Sequence, residues 1–381
     1  MATPKILVTS AAGRTGAATV LELLEKGFPV RAFVRRRDAR SAALEKAGAE
    51  IFVGDLFDLS DLRRALNGVQ RSVHCPPVAP NLLHGTMLFA LAAAEARLEV
   101  VALMSQWNPH PSHPALATRE HWMANNVYRW MPTVDVIHVN PGLFAFMYLL
   151  SLPVVVHLGM LVGPWGEGLN APPSSEDIGS LAAGVLAEPS PHIGKCYRPT
   201  GPKLISPHDV ADVLTEVVGH KVKYQEVSPK MFLKAATAQG IFSTFEIAHA
   251  RFYFEELRGG TFAVGAPTDH VQEICGRPPE SFETIARRYI ARPELIHPGL
   301  RTGTKLGALG FMGKMMLTRA PDLDRWEQER GHPMLREPVL AHDSPEWRAT
   351  AEKQELNLLP VPSQQSGSQV DSPALSSAAR K

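Results

Sequence analysis

The chain of 381 residues is 45% hydrophobic and 20% charged, enough apolar material to bury a sizeable core without disulfides or metal. Its 39 Lys and Arg face 38 Asp and Glu, so no global positive field exists to hold a polyanion, which argues against nucleic acid as a partner. The 3 cysteines, Cys75, Cys196 and Cys275, are scattered without a CxxC pair, which fits a reducing, cytoplasmic setting.

The opening, MATPKILVTSAAG, runs straight into a strand-like segment and not through a signal-peptide core. From there the hydrophobic period switches repeatedly. Lys5–Thr9, Val30–Val34, Glu50–Val53, Arg71–Cys75, Val100–Met104 and Val134–Val139 read as buried strands. Between them, Gly16–Lys26, Ala39–Ala47, Leu59–Leu66, Leu82–Leu98 and Arg119–Trp130 read as helices, several closed by glycine. Strands alternating with helices require right-handed crossovers, so the expected fold class is α/β: a doubly wound parallel sheet of Rossmann-like type.

After Gly142, Pro and Gly become dense, and helical patterns are short, at Ser174–Ala187, Pro207–Val218 and Pro229–Gln239. Leu143–Val162 is apolar, but Ser151, Pro153, His157 and Gly159 interrupt it, which argues against a stable membrane span. The expected organisation is a Rossmann-like domain at 1–142, a smaller α/β substrate lobe at 143–290, a helical C-terminal extension at 291–358 and a disordered, Ser/Gln/Pro-rich tail at 359–381. The extension has two readings, a cap over the pocket or a homodimer contact.

Between the first strand and first helix sits Thr9-Ser10-Ala11-Ala12-Gly13-Arg14-Thr15-Gly16. Small residues in a strand-to-helix turn let backbone N–H groups and the helix's positive end approach a pyrophosphate. Thr9, Ser10, Ala12, Gly13, Arg14, Thr15 and Gly16 are therefore the candidate phosphate cradle. An acidic residue after the second strand would accept a ribose hydroxyl and select NAD, but Val34 is followed by Arg35-Arg36-Arg37. Guanidinium groups match a 2′-phosphate in charge and geometry, so Arg35 and Arg36, with Arg14, point to NADP(H). Asp55 and Leu56 after the third strand are placed to meet the adenine, and Cys75 and Pro76 after the fourth to line the ribose.

VTSAAGRTG, VRAFVRRRD, GDLFDLSDLRRAL, the VNPGLFAF segment and HIGKCYRPTGPKLISPHDVADVLTEVVGHKVKY together resemble the NmrA-like branch of the atypical short-chain dehydrogenase/reductase superfamily, over roughly residues 1–290. The resemblance implies an NAD(P)-binding Rossmann fold and places Asn140 and Pro141 beside the nicotinamide. The family usually has Gly where this chain has Ser10. Active members of the superfamily use a Tyr with a Lys four residues later; none of the 6 tyrosines here has that Lys. NmrA-like proteins include both reductases and regulators that bind NADP(H) without turnover.

Candidate reaction residues are then Ser105, at the end of the fifth strand, and His121, whose imidazole titrates near working pH. Gln106, Trp107, His113, Phe144, Met147, Tyr148, His157 and Trp165 are expected to line a pocket for a small apolar substrate. His110 and His113 lie in a proline-broken segment and complete no metal set, so no metal is expected. The leading expectation is an NADPH-dependent oxidoreductase acting on a carbonyl, quinone or enone. The alternatives are an NADP(H)-sensing regulatory protein and a lyase or isomerase that uses bound NADP(H).

Overall fold

A computed structural model describes residues 3–292 and 305–361. The strands are β1 (Ile6–Val8), β2 (Val30–Val34), β3 (Glu50–Val53), β4 (Arg71–His74), β5 (Val100–Met104), β6 (Asp135–Val139), β7 (Met160–Gly163), β8 (Cys196–Tyr197) and β9 (Lys223–Glu226). Helices α1 (Arg14–Glu25), α2 (Ala39–Lys46), α3 (Leu59–Leu66), α4 (Leu82–Glu95) and α5 (Leu116–Trp130) join the first six strands. The main sheet has seven parallel strands in the order β3-β2-β1-β4-β5-β6-β8. β1 and β5 are buried along their whole length, as expected of strands covered on both faces.

Strand order reverses between β1 and β4, so the crossovers leave opposite faces of the sheet there and open a crevice at the strands' carboxyl ends. Thr9 pins this point. Its Oγ1 accepts from Cys75 N at 2.8 Å, and Ser10 Oγ donates to Cys75 O at 2.7 Å.

Beyond Gly142 the chain divides less cleanly than its composition suggests. Helix α7 (Ser175–Ala187) is buried on nearly every side and packs against α1, where the missing side chain of Gly179 makes room: a Cβ there would lie 2.7 Å from Ala18 Cβ. An apolar helix of that kind has to be covered, and the Rossmann layer covers it. β8 then adds to β6 as the seventh strand. The rest of the second region is a parallel pair, β7 with β9, and helices α6 (Leu152–Leu158), α8 (Pro207–Val218), α9 (Pro229–Gln239), α10 (Thr244–Arg258), α11 (His270–Cys275) and α12 (Phe282–Ile290).

The apolar stretch Leu143–Val162 is broken into a 3-10 turn at Ala145–Leu149, α6 and the start of β7, with Gly159 left-handed at φ 65°. Among the described residues no helix is long and apolar enough to cross a membrane. The C-terminal extension contains α13 (Lys305–Leu317), α14 (Leu323–Glu329) and α15 (Pro345–Ala351). Trp347 and Ala351 of α15 are buried in the same core as Tyr148, Trp165 and Leu257. The expected tail from 362 onward lies outside the described residues.

Candidate active site

The turn between β1 and α1 is tight, leaving no room for a side chain at Gly16 and little at Gly13. A Cβ on Gly16 would sit 2.4 Å from Ser10 O, and one on Gly13 would sit 3.1 Å from the same atom. Ser10 itself adopts φ 51°, the left-handed region that glycine would occupy without strain. No side chain caps α1, and its first turn holds no acidic residue. Gly13 and Arg14 are exposed, so the free N–H groups and the positive end of a 12-residue helix face an accessible crevice. A dinucleotide pyrophosphate fits this arrangement.

Arg35, Arg36 and Arg37 are exposed just beyond β2, but their surroundings differ. Arg37 pairs with Glu45 at 2.7 Å, and Arg36 lies 4.0 Å from Asp38. Arg35 has no ion-pair partner among the described residues, which leaves its guanidinium available. Arg14 lies 4.3 Å over the Phe146 ring and brings a second guanidinium to the mouth of the crevice. Asp55 Oδ1 accepts from Phe57 N at 3.0 Å, shaping the loop that also carries the half-buried Leu56.

From the turn, a cavity of about 310 Å³ extends along the ends of β4, β5 and β6. Thr15, Cys75, Pro76, Ser105, Gln106, His121, Pro141, Phe144 and Met147 line it, so the cofactor-side and substrate-side expectations meet in one space. Most of the wall is apolar. Glu246, its carboxylate member, accepts from Ser243 N at 2.7 Å and Ser243 Oγ at 2.8 Å as a helix cap and is thereby engaged.

The polar edge of the cavity is small and buried. Ser105 Oγ and His249 Nδ1 are both buried without a hydrogen-bond partner. Gln106 explains the state of His249: its Oε1 accepts from Thr118 Oγ1 at 3.0 Å, and its Nε2 donates to His249 Nε2 at 3.2 Å. Burial, reinforced by His113 and His121, pushes the His249 imidazole down to about 3, so it is neutral at pH 7. With Nε2 accepting, its proton sits on Nδ1. The cavity wall therefore holds a donor with nothing to donate to. Burial also lowers His121, to about 4, so this side chain too is neutral at pH 7.

Other expected residues are placed elsewhere. Asn140 is buried and donates to Gln106 O at 2.7 Å, fixing the loop after β5. Trp107 is buried, donates to Thr261 O at 3.0 Å and carries the Arg198 guanidinium 4.4 Å above its ring. Tyr148 and Trp165 pack edge to face in the core, with centroids 4.9 Å apart, and His157 sits on α6; none of the three lines the cavity. His113 binds Glu256 at 2.9 Å, while His110 binds Ser344 at 2.9 Å, so the two histidines diverge to different partners. These side chains build the second core because they lie on elements packed beneath the cavity wall. Cys75 is half-buried at the cavity wall, and desolvation raises its thiol pKa to about 11, which disfavours the thiolate.

Sequence reasoning missed the wall's other half. Phe232 on α9, Phe242 after it, and Ile247, His249, Ala250, Tyr253 and Phe254 on α10 complete the cavity. Positions 246, 249, 250 and 253 follow the i, i+3, i+4, i+7 spacing of one helix face, and that stripe was the available signal.

Comparison with known proteins agrees with this fold. The NAD(P)H azoreductase of Xenophilus azovorans is 26% identical over 287 residues, 75% of this chain and 98% of the azoreductase. A solved NADPH-dependent quinone oxidoreductase from Escherichia coli, complexed with NADPH, superposes with a TM-score of 0.65 at 22% identity, over 75% of this chain and 99% of that one. NmrA, a negative transcriptional regulator solved with NADP, gives 0.65 at 17% identity, over 79% and 99%. At such identities the superpositions establish the fold. The NmrA-like family model matches residues 2–100, the part of the chain that forms the β1–α1 turn, the basic run and the first four strands.

Proposed function

We propose that this protein is an NADPH-dependent oxidoreductase of a small, uncharged, apolar acceptor: a carbonyl, quinone or enone. The observation that carries the reading is the single cavity that joins the uncapped start of α1 to two partnerless polar atoms, Ser105 Oγ and His249 Nδ1.

The turn from Thr9 to Gly16 would hold the pyrophosphate on the first N–H groups of α1. Arg35, with Arg36 and Arg14 beside it, would hold the 2′-phosphate. Asp55 and Leu56 would meet the adenine, Cys75 and Pro76 the ribose, and Asn140 and Pro141 the nicotinamide side. When bound, the dinucleotide supplies a hydride to the acceptor.

The protein's own part is positioning and electrostatics. Phe144, Phe146, Phe232 and Tyr253 exclude water from the cavity and accept a flat apolar body. Ser105 Oγ–H and His249 Nδ1–H supply hydrogen bonds to an acceptor oxygen as it gains negative charge. His121, neutral at pH 7, offers a further hydrogen bond. An imidazole of such low pKa is rarely charged at pH 7, so the proton that completes the reduction comes from water. The related azoreductase and quinone oxidoreductase are named for reductions of this general kind.

A second reading, NADP(H) binding coupled to regulation of a partner, is favoured by the lack of any Tyr followed four residues later by Lys. The two readings separate in one assay series. NADPH is expected to raise Tm more than NADH, with Arg35→Ala erasing the difference, and a quinone, enone and aldehyde panel is expected to consume NADPH. Equal shifts with both nucleotides remove the phosphate clamp. Selective binding with no consumption across the panel leaves the regulatory reading in place.

A further inference from the structure

Helix α13 lies against α6 and α9 but turns Leu306, Leu309, Met316 and Leu317 to the outside. Leu306 is 80% exposed, Leu309 53%, Met316 59% and Leu317 91%, and Ile241, just beyond α9, is 60% exposed. Ala308 is the helix's one buried residue. A contiguous outward apolar face of this kind marks a surface that is covered in use.

Charge decides what covers it. The chain as a whole is balanced, yet residues 305–320 carry Lys305, Lys314 and Arg319 and no Asp or Glu. Lys305 and Arg319 are exposed, bracket the apolar face and have no ion-pair partner among the described residues. A second copy of the chain seated on this face would bring its own cations against them. Anionic lipid headgroups would neutralise them. The helix has 13 residues, about 20 Å at 1.5 Å per residue, too short to cross a hydrocarbon core of about 30 Å.

We propose that α13 is an interfacial helix that seats the protein on an anionic membrane surface, with Leu306, Leu309, Met316 and Leu317 at the acyl boundary and Lys305 and Arg319 among the headgroups. The helix is tied to the cavity wall. Lys314 Nζ donates to Ala238 O at 2.6 Å, Lys234 Nζ donates to Met316 O at 3.0 Å, and the same α9 supplies Phe232 to the cavity. A docked membrane would therefore lie one helix away from the apolar pocket.

The test is co-sedimentation of the full chain with phosphatidylglycerol/phosphatidylcholine vesicles and with phosphatidylcholine vesicles, at low and high salt, without nucleotide or substrate. Binding to the anionic vesicles is expected, weakened by salt and weaker on phosphatidylcholine alone. Leu306→Glu with Leu317→Glu should lower the partitioning about tenfold or more. Lys305→Glu with Arg319→Glu should lower it on the anionic vesicles and leave phosphatidylcholine unchanged. All four positions are exposed, so Tm should stay at the parent value in both variants. No sedimentation with anionic vesicles, or the same partitioning in the leucine variant, overturns the proposal. So does a parent dimer that the leucine variant converts to monomer, because the covering surface is then a second copy. Since the readout needs no nucleotide, failure of the NADPH assays leaves this result standing on its own.

Discussion

At the scale of single residues, His249 shows how a side chain with no motif acquires a defined state. Thr118 orients the Gln106 amide, Gln106 takes up the His249 Nε2 lone pair, and burial keeps the ring neutral, so the proton is left at Nδ1. Ser105 supplies a second donor from the adjoining loop, which Asn140 fixes through the Gln106 carbonyl. Donors aimed at developing charge in a dry cavity are each worth about 10²-fold in kcat. His249→Leu is therefore expected to lower kcat by that order with an oxygen acceptor, and Ser105→Ala by a similar or smaller factor, both with the NADPH-induced rise in Tm intact. Gln106→Leu frees the tautomer without deleting the donor, so its loss should be several-fold smaller. Unchanged kcat in His249→Leu would remove the donor from the mechanism, while a changed KM alone would reassign His249 to binding.

Among elements, what sequence could reveal follows the range of the interactions involved. β1 to β6 and the helices between them alternate in period and end on turn residues, all local signals, and their observed limits lie within a few residues of those expected. The glycine turn was equally readable, being backbone chemistry confined to eight consecutive positions. β8 is two residues long and β9 reads Lys-Tyr-Gln-Glu, so neither carries an apolar pattern, and only their pairing partners make them strands. The substrate side was half hidden because Gln106 and His249 stand 143 positions apart. The extension was hidden more deeply still. It is held by Glu256 of α10, which is fully buried, binds His113 at 2.9 Å and His342 at 2.8 Å, and accepts from Ala341 N at 2.6 Å. Burial alone would raise this carboxyl, but the two histidine hydrogen bonds outweigh it and hold the pKa well below the usual range. Glu256→Leu strands those donors and is expected to destabilise by about 3–5 kcal/mol, with the extension released first. Limited proteolysis should then cut between α13 and α15 before the Rossmann core opens, and continued protection of that segment would show that Trp347 and its apolar neighbours hold it without the ion pairs.

For the molecule as a whole, the number of buried neutral histidines dictates how stability responds to acid. Burial lowers His74 and His249 to about 3 and His121 and His138 to about 4, each from an ordinary value of 6.5. Between those limits the unfolded chain takes up protons that the folded chain refuses, so stability rises with pH and is lost as pH falls from 6.5 toward 4. Each group contributes up to about 1.4 kcal/mol per pH unit across its own window. Glu120 acts in the opposite sense: burial raises it from 4.5 to about 7, so its contribution is fully present below 4.5 and fades toward pH 7. His342, raised mainly by its hydrogen bond to Glu256, likewise stabilises below 6.5 and loses that effect as pH climbs through its folded value. Burial also lowers His110, His192, His270 and His332, while it raises Glu255 and Glu327 as it does Glu120. The depressed histidines outnumber the raised groups, and the net expectation is a fall in stability on acidification, beginning near pH 6.5 rather than in the carboxylate range. His138 isolates one of them. It lies on β6, away from the cavity lining, and its Nδ1 has no hydrogen-bond partner. His138→Val suits a buried parallel strand, and chemical-denaturation free energies at pH 6 and pH 5 should show the parent's loss across that unit reduced by about 1.4 kcal/mol in the variant. An equal loss in both proteins would mean that His138 takes up its proton in the folded state over the same range as in the unfolded chain, and the acid sensitivity would then rest on the other depressed histidines and the carboxylates.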